Sequence, residues 1–239
     1  MAVIDQLSCA NNLEQPTRID VEQAPRNQLV KAGDSVELTC TAYAAPQAII
    51  HWLHNGEPVS EGSTEKMNKF ERVVMKGGPQ TGSSITASIL PLDNIDVSKT
   101  GVYTCVVDNG CHKATFDAIV AIAGESEEAC KITKAKEQAP KITTWTDTRI
   151  EQNSAYAQLY CRAQGNPKPK ITWSVVNDED ENNVIVTDLK DVDHVQVLSN
   201  GDLLVAPQFM ADGGAMTFQC RAESDRGQDK KDILLVEVI

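Results

Sequence analysis

Apolar side chains recur at every second position in short runs bounded by turn residues, which is the pattern of half-buried strands. Val36, Leu38 and Cys40 share one face of the first clear run, and Ile50, Trp52 and His54 share a face of the next. Asn55-Gly56 then predicts a tight turn, because both residues accept the backbone that a two-residue hairpin requires. Gly101-Val102-Tyr103-Thr104-Cys105 alternates in the same way. Asn109-Gly110 predicts a further hairpin leading into a strand that Cys111 opens and that runs towards Gly124. In the second half Leu159 and Cys161 lie on one face of a strand, Trp173 sits on the following one, and Leu203-Leu204-Val205 makes another.

The two halves repeat each other. Cys40 and Cys105 are 65 positions apart and Cys161 and Cys220 are 59 apart, and each first cysteine is followed 12 positions on by a tryptophan, Trp52 or Trp173. On these residues the chain resembles the immunoglobulin superfamily, and Gly165-Asn166-Pro167-Lys168-Pro169 before Trp173 is similar to its intermediate-set domains. The resemblance implies an all-β chain of two tandem immunoglobulin, I-set-like β-sandwiches, each with its cysteine pair bridging strands B and F against the tryptophan. The expected organisation is an N-terminal extension (1–16), a first domain (17–124), a linker (125–139) and a second domain (140–239). Tyr103, two before Cys105, fits the corner tyrosine of such domains, whereas the matching position in the second domain is Phe218, which has no hydroxyl.

Three of the seven cysteines remain: Cys9, Cys111 and Cys130. A strand running from Cys111 to Gly124 would end roughly 40 Å away, and the residues from there to Cys130 span only about 24 Å. Cys9 to Cys111 is therefore the expected third bridge, and Cys130 takes its place if that strand stops near Ile119. Cys130 otherwise stays reduced or joins two chains in a dimer.

Composition narrows the functional classes. The 34 acidic against 22 basic residues give a net charge of −12, which disfavours nucleic acid and acidic lipid. No apolar run is long enough for a membrane span, so no membrane insertion is expected. A disulfide framework belongs to an oxidising compartment. Met1 to Asp5 has neither the basic start nor the apolar core of a signal peptide, so the expectation of a secreted, unanchored protein assumes a leader outside this sequence. His51 and His54 are three apart on a strand and face opposite sides, which argues against a zinc pair, and Asp178-Glu179-Asp180-Glu181 lacks the ligand alternation and glycine of a calcium loop. No nucleophile, phosphate loop or metalloprotease motif is present, so neither an enzyme nor a cofactor is expected.

What remains is binding. With Ile50 and Trp52 inward, Ile49, His51 and Leu53 point outward, as does Val106 from the strand carrying Cys105. In the second domain Tyr156, Gln158, Tyr160 and Arg162 face out, with Leu204 on a neighbouring strand. Outward tyrosines beside an arginine make a candidate hot spot. The competing expectation is that the two patches pack against each other, against the linker or under an N-terminal segment.

The long linker, the Pro140-Lys141-Ile142 entry and Val197-Leu198-Ser199-Asn200-Gly201-Asp202-Leu203-Leu204-Val205 are similar to the secreted two-immunoglobulin proteins of invertebrates, the nematode zwei-Ig group and an insect insulin-binding protein. The resemblance implies capture of an extracellular protein, an insulin-like peptide in the insect relative, and a part in keeping axons in position in the nematode group. The alternative partner is an immunoglobulin-family surface protein met in adhesion or guidance. The linker is long enough for the domains to fold back side by side.

Overall fold

The computed structural model describes residues 17–59, 82–123, 137–152, 156–180, 183–210 and 213–238, without the side chains of 177–187. Within these residues the first domain holds β1 (Arg18–Gln23), β2 (Gln28–Val30), β3 (Val36–Ala45), β4 (Ile49–His54), β5 (Glu57–Pro58), β6 (Ser83–Leu92), β7 (Gly101–Asp108) and β8 (Lys113–Ile122). The second holds β9 (Gln138–Gln152), β10 (Ala157–Leu159), β11 (Cys161–Asn166), β12 (Lys170–Asp180), β13 (Asn183–Asp188), β14 (Val195–Val197), β15 (Leu203–Val205), β16 (Gly214–Ser224) and β17 (Gly227–Val238). The immunoglobulin sandwich expected from the cysteine and tryptophan spacing is present twice.

Alternation builds each core. Leu38, Cys40, Ile50, Trp52 and Cys105 are buried together in the first domain, and Leu159, Cys161, Trp173, Phe218 and Cys220 in the second. Both expected bridges, Cys40–Cys105 and Cys161–Cys220, are formed. Each would contribute roughly 4 kcal/mol by closing a loop of about 60 residues in the unfolded chain. A buried indole N–H must find an acceptor. Trp52 donates to Ser88 Oγ at 3.0 Å and Trp173 to the Gly201 carbonyl at 2.8 Å. Asn55 and Gly56 both have positive φ, 50° and 87°, the hairpin geometry their sequence predicts. Tyr103 closes its corner by donating to the Lys99 carbonyl at 2.8 Å.

One expectation needs correction. Cys111 does not open a strand, since β8 begins at Lys113. The Asn109 side-chain oxygen accepts the N–H groups of Cys111 and His112, which holds both in the turn rather than on the ladder. Cys111 is disulfide-bonded, and its partner lies outside the described residues, as do Cys9 and Cys130.

The domains lie side by side and share a sheet. In nine strands the order runs β1-β3-β6-β9-β17-β16-β12-β13, with β11 also on β9. The 15-residue β9 makes this possible. Its first half pairs with β11, its second half pairs in parallel with β17, and its other edge pairs antiparallel with β6 of the first domain. A free strand edge is a row of unpaired peptide groups, and here the edge of β6 is filled by the second domain.

Candidate functional site

The seam between β6 and β9 is made of hydroxyls. Ser84, Thr86 and Ser88 from one strand and Thr144 and Thr146 from the other are buried. Small side chains let the two strands and the loop after β3 approach closely, and each hydroxyl can pair locally. Ser88 Oγ, which accepts from Trp52, lies 3.3 Å from Thr144 Oγ1. Thr146 Oγ1 accepts from Gln47 of the first domain at 3.1 Å and from the Tyr160 N–H at 2.8 Å. Farther along, Lys141 forms an ion pair with Glu37, and Gln138 donates to Asp93 at 2.9 Å.

This packing changes the status of several predicted contact residues. Tyr160 is buried, its backbone N–H and carbonyl both tied to Thr146 and its ring 5.4 Å from the Arg162 guanidinium. Burial pushes its phenol up to about 12. It therefore cannot be an outward anchor. Val106 is buried too, on the central strand β7 between His51 and Thr115, and Leu204 is nearly so, on the middle strand of three between Gln158 and Gln196. A strand with neighbours on both edges offers little side-chain area even on its outward face. Arg162 is mostly covered and ion-paired with the buried Asp202 at 3.1 Å. Tyr156 stays exposed at 53%, Ile49 is exposed and Leu53 half-exposed. The two halves of the predicted Tyr156–Tyr160 pair are thus separated by burial.

The shared sheet creates a face that neither domain has alone. Partners across a ladder point to the same side, and successive registers align Tyr43, Ile85, Thr148, Leu234, Thr217 and Val176 across six strands. The next row holds Ser83, Ile150, Val236 and Ala215. Leu234 is 38% and Ile150 40% exposed, whereas their neighbours Ile233 and Leu235 are fully buried on the other side. Behind this face Arg149 and Glu151 form a fully buried ion pair, and Glu237, paired in register with Glu151, is buried beside it. Burial and the nearby Glu151 charge push the Glu237 carboxyl up to about 7.

A second exposed apolar group lies on the other sheet of the first domain, ordered β2-β8-β7-β4-β5. Val102 and Ile119 are cross-strand partners there, and Leu29, 72% exposed, pairs with Ala121 beside them. Sequence reasoning missed all three. On this sheet His54 stacks on Tyr103 and donates its Nε2–H to the Thr100 carbonyl at 2.9 Å, while burial lowers the His51 pKa. No group of three potential metal ligands occurs among the described residues, and no helix there is long and apolar enough to cross a membrane.

Comparison with known proteins agrees with this architecture. An immunoglobulin domain model matches residues 19–109. The Caenorhabditis elegans zwei Ig domain protein zig-4 is 30% identical over 225 residues, covering 94% of this chain and 82% of its own. The chain belongs to the zwei Ig domain proteins. A second nematode member, zig-3, is 28% identical over 206 residues, 86% of this chain and 75% of its own. Among solved structures, neural ectodermal development factor IMP-L2 matches with a TM-score of 0.68 at 23% identity, covering 94% of this chain and 96% of that one. That likeness is one of fold and extends over both domains.

Proposed function

We propose that this zwei Ig protein is a secreted, non-enzymatic binder that captures an extracellular protein ligand, an insulin-like peptide, on the outer face of the shared sheet. The observation that carries the reading is the row from Tyr43 to Val176, which crosses from one domain into the other without a gap. A rigid face with Ile85, Ile150, Leu234, Val236 and Val238 matches a small folded ligand that presents an apolar helix surface, and binding there needs no catalytic group. Capture would keep the ligand from its receptor. Disulfides in both cores support an extracellular setting.

Label-free binding of the oxidised protein to insulin-like peptides of its source organism tests the reading. Capture weakened by Leu234→Asp supports it, and no binding to any such peptide overturns it.

A second reading, adhesion or guidance through an immunoglobulin-family surface protein, is favoured by exposed Leu29, Val102, Ile119 and Ile49 on the separate sheet of the first domain. In that case Leu53→Asp or Ile119→Asp abolishes partner binding or self-association, and Leu234→Asp does not. A part in axon position is compatible with either reading.

A further inference from the structure

The side of the second domain opposite the shared face carries a concavity of about 430 Å³ on the sheet β10-β15-β14. Tyr156, His194, Gln196, Leu204, Ala206 and Gln208 line it. We propose that it binds a neutral glycan, stacking a sugar ring on Tyr156 and pairing hydroxyls with the two glutamines.

Three observations converge on that ligand class. First, no Asp, Glu, Lys or Arg lines the concavity, and His194 at its rim is the one basic side chain there. An ionic or sulfated ligand would find no permanent counter-charge there. Second, the polar groups present suit adjacent hydroxyls. A carboxamide offers a donor and an acceptor side by side, and so matches a vicinal diol in both directions. Gln196 and Gln208 are exposed, and among the described residues neither spends its side chain on an internal hydrogen bond. Third, the aromatic and apolar parts are arranged as a platform. Tyr156 keeps about half of its surface open at 53%, beside the covered Leu204 and Ala206, and a ring face in contact with solvent is the surface on which the C–H side of a pyranose packs.

The backbone also holds the rim in an unusual state. His194 has a φ of 68°, in the left-handed region that a residue with a Cβ seldom occupies, and the Ala206 N–H fixes it by donating to the His194 carbonyl at 2.8 Å. This hydrogen bond continues the pairing of β14 with β15 one step beyond Val195 and Val205. The site is independent of the shared face, since it lies on the other sheet of the sandwich.

The test is an NMR titration of the full oxidised chain with N,N′-diacetylchitobiose, lactose and a high-mannose oligosaccharide, with a heparin tetrasaccharide as the charged arm. The expected result is that at least one neutral glycan shifts the side-chain NH₂ signals of Gln196 and Gln208, and that Tyr156→Ala lowers its affinity about tenfold, as the loss of one aromatic contact would. Gln196→Ala, at an exposed position where folding is not at stake, should weaken the same glycan. Silence with all three neutral glycans, response to heparin alone, or shifts that persist unchanged in both variants would overturn the proposal. Peptide capture on the shared face should be unaltered by either substitution, so the two readings fail separately.

Discussion

Gln47 of the first domain donates through Nε2 to Thr146 Oγ1 of the second at 3.1 Å, and the same oxygen accepts the Tyr160 N–H at 2.8 Å. All three residues are buried. One hydroxyl of β9 thereby ties the loop after β3 to the link between β10 and β11.

Thr146→Val keeps the shape of the side chain and removes this acceptor, leaving two buried N–H groups unpaired. The expected cost is about 2 kcal/mol or more in urea denaturation, since each orphaned buried donor costs roughly 1–3 kcal/mol. Hydrogen exchange should quicken at Tyr160 while the core amides around Trp52 and Trp173 remain protected. Equal loosening throughout the chain would show that the seam is not a separate unit.

For the shared face, Leu234→Asp and Ile150→Asp place a charge on exposed side chains in adjacent rows. Stability should change by less than about 1 kcal/mol, as is usual at surface positions. Ligand capture should weaken by roughly 2 kcal/mol, the scale of an interface hot spot. Surface plasmon resonance on both variants, with circular dichroism as the check on folding, measures the two effects.

Asp202 is a heavily bonded carboxylate of the second domain. It is buried and accepts from Gln158, the Cys161 N–H, Arg162 and Asn200. Asp202→Ala would leave the Arg162 charge and several donors without their acceptor, and the expected loss is about 3–5 kcal/mol. Thermal unfolding would register it, and a loss under 1 kcal/mol would contradict the network.

Glu237 gives a pH dependence of definite sign. Its carboxyl is held up at about 7 against an ordinary 4.5, first by burial and then by the charge of Glu151. The folded state therefore binds this proton more tightly than the unfolded chain does. The contribution is fully present below pH 4.5 and is lost as the pH rises through about 7. Glu237→Gln, neutral at every pH, should flatten that part of the stability profile and raise the melting temperature more at pH 8 than at pH 5. Parallel profiles for wild type and variant would contradict the assignment.

Peptide mapping without reduction identifies the partner of Cys111. A fragment joining Cys9 to Cys111 is the expected product, and a Cys111–Cys130 fragment would reverse the choice. Alkylation of Cys130 in the native protein, or a covalent dimer on a non-reducing gel, then shows the state of the remaining thiol.

Much of this molecule was legible in its sequence. Strand alternation around Val36, Leu38 and Cys40, the cysteine and tryptophan spacings, Asn55-Gly56 and Tyr103 each specify local structure, because each depends only on neighbours along the chain or on a pairing common to every such sandwich. The same logic sent Tyr160 and Val106 to an outward face, and nothing local revealed what would cover them. Runs such as Ser83-Ser84-Ile85-Thr86-Ala87-Ser88 and Thr143-Thr144-Trp145-Thr146 read alone as hydrated strand faces, yet they meet as a buried seam. Serine and threonine are content in water or against one another, so their pattern does not choose between these states. The choice came from β9, whose first half pairs with β11 and second half with β17 while its outer edge completes β6. Sequence determined two sandwiches; the pairing of two strand edges distant along the chain decided that they would share one sheet, and so which side chains were left for a partner.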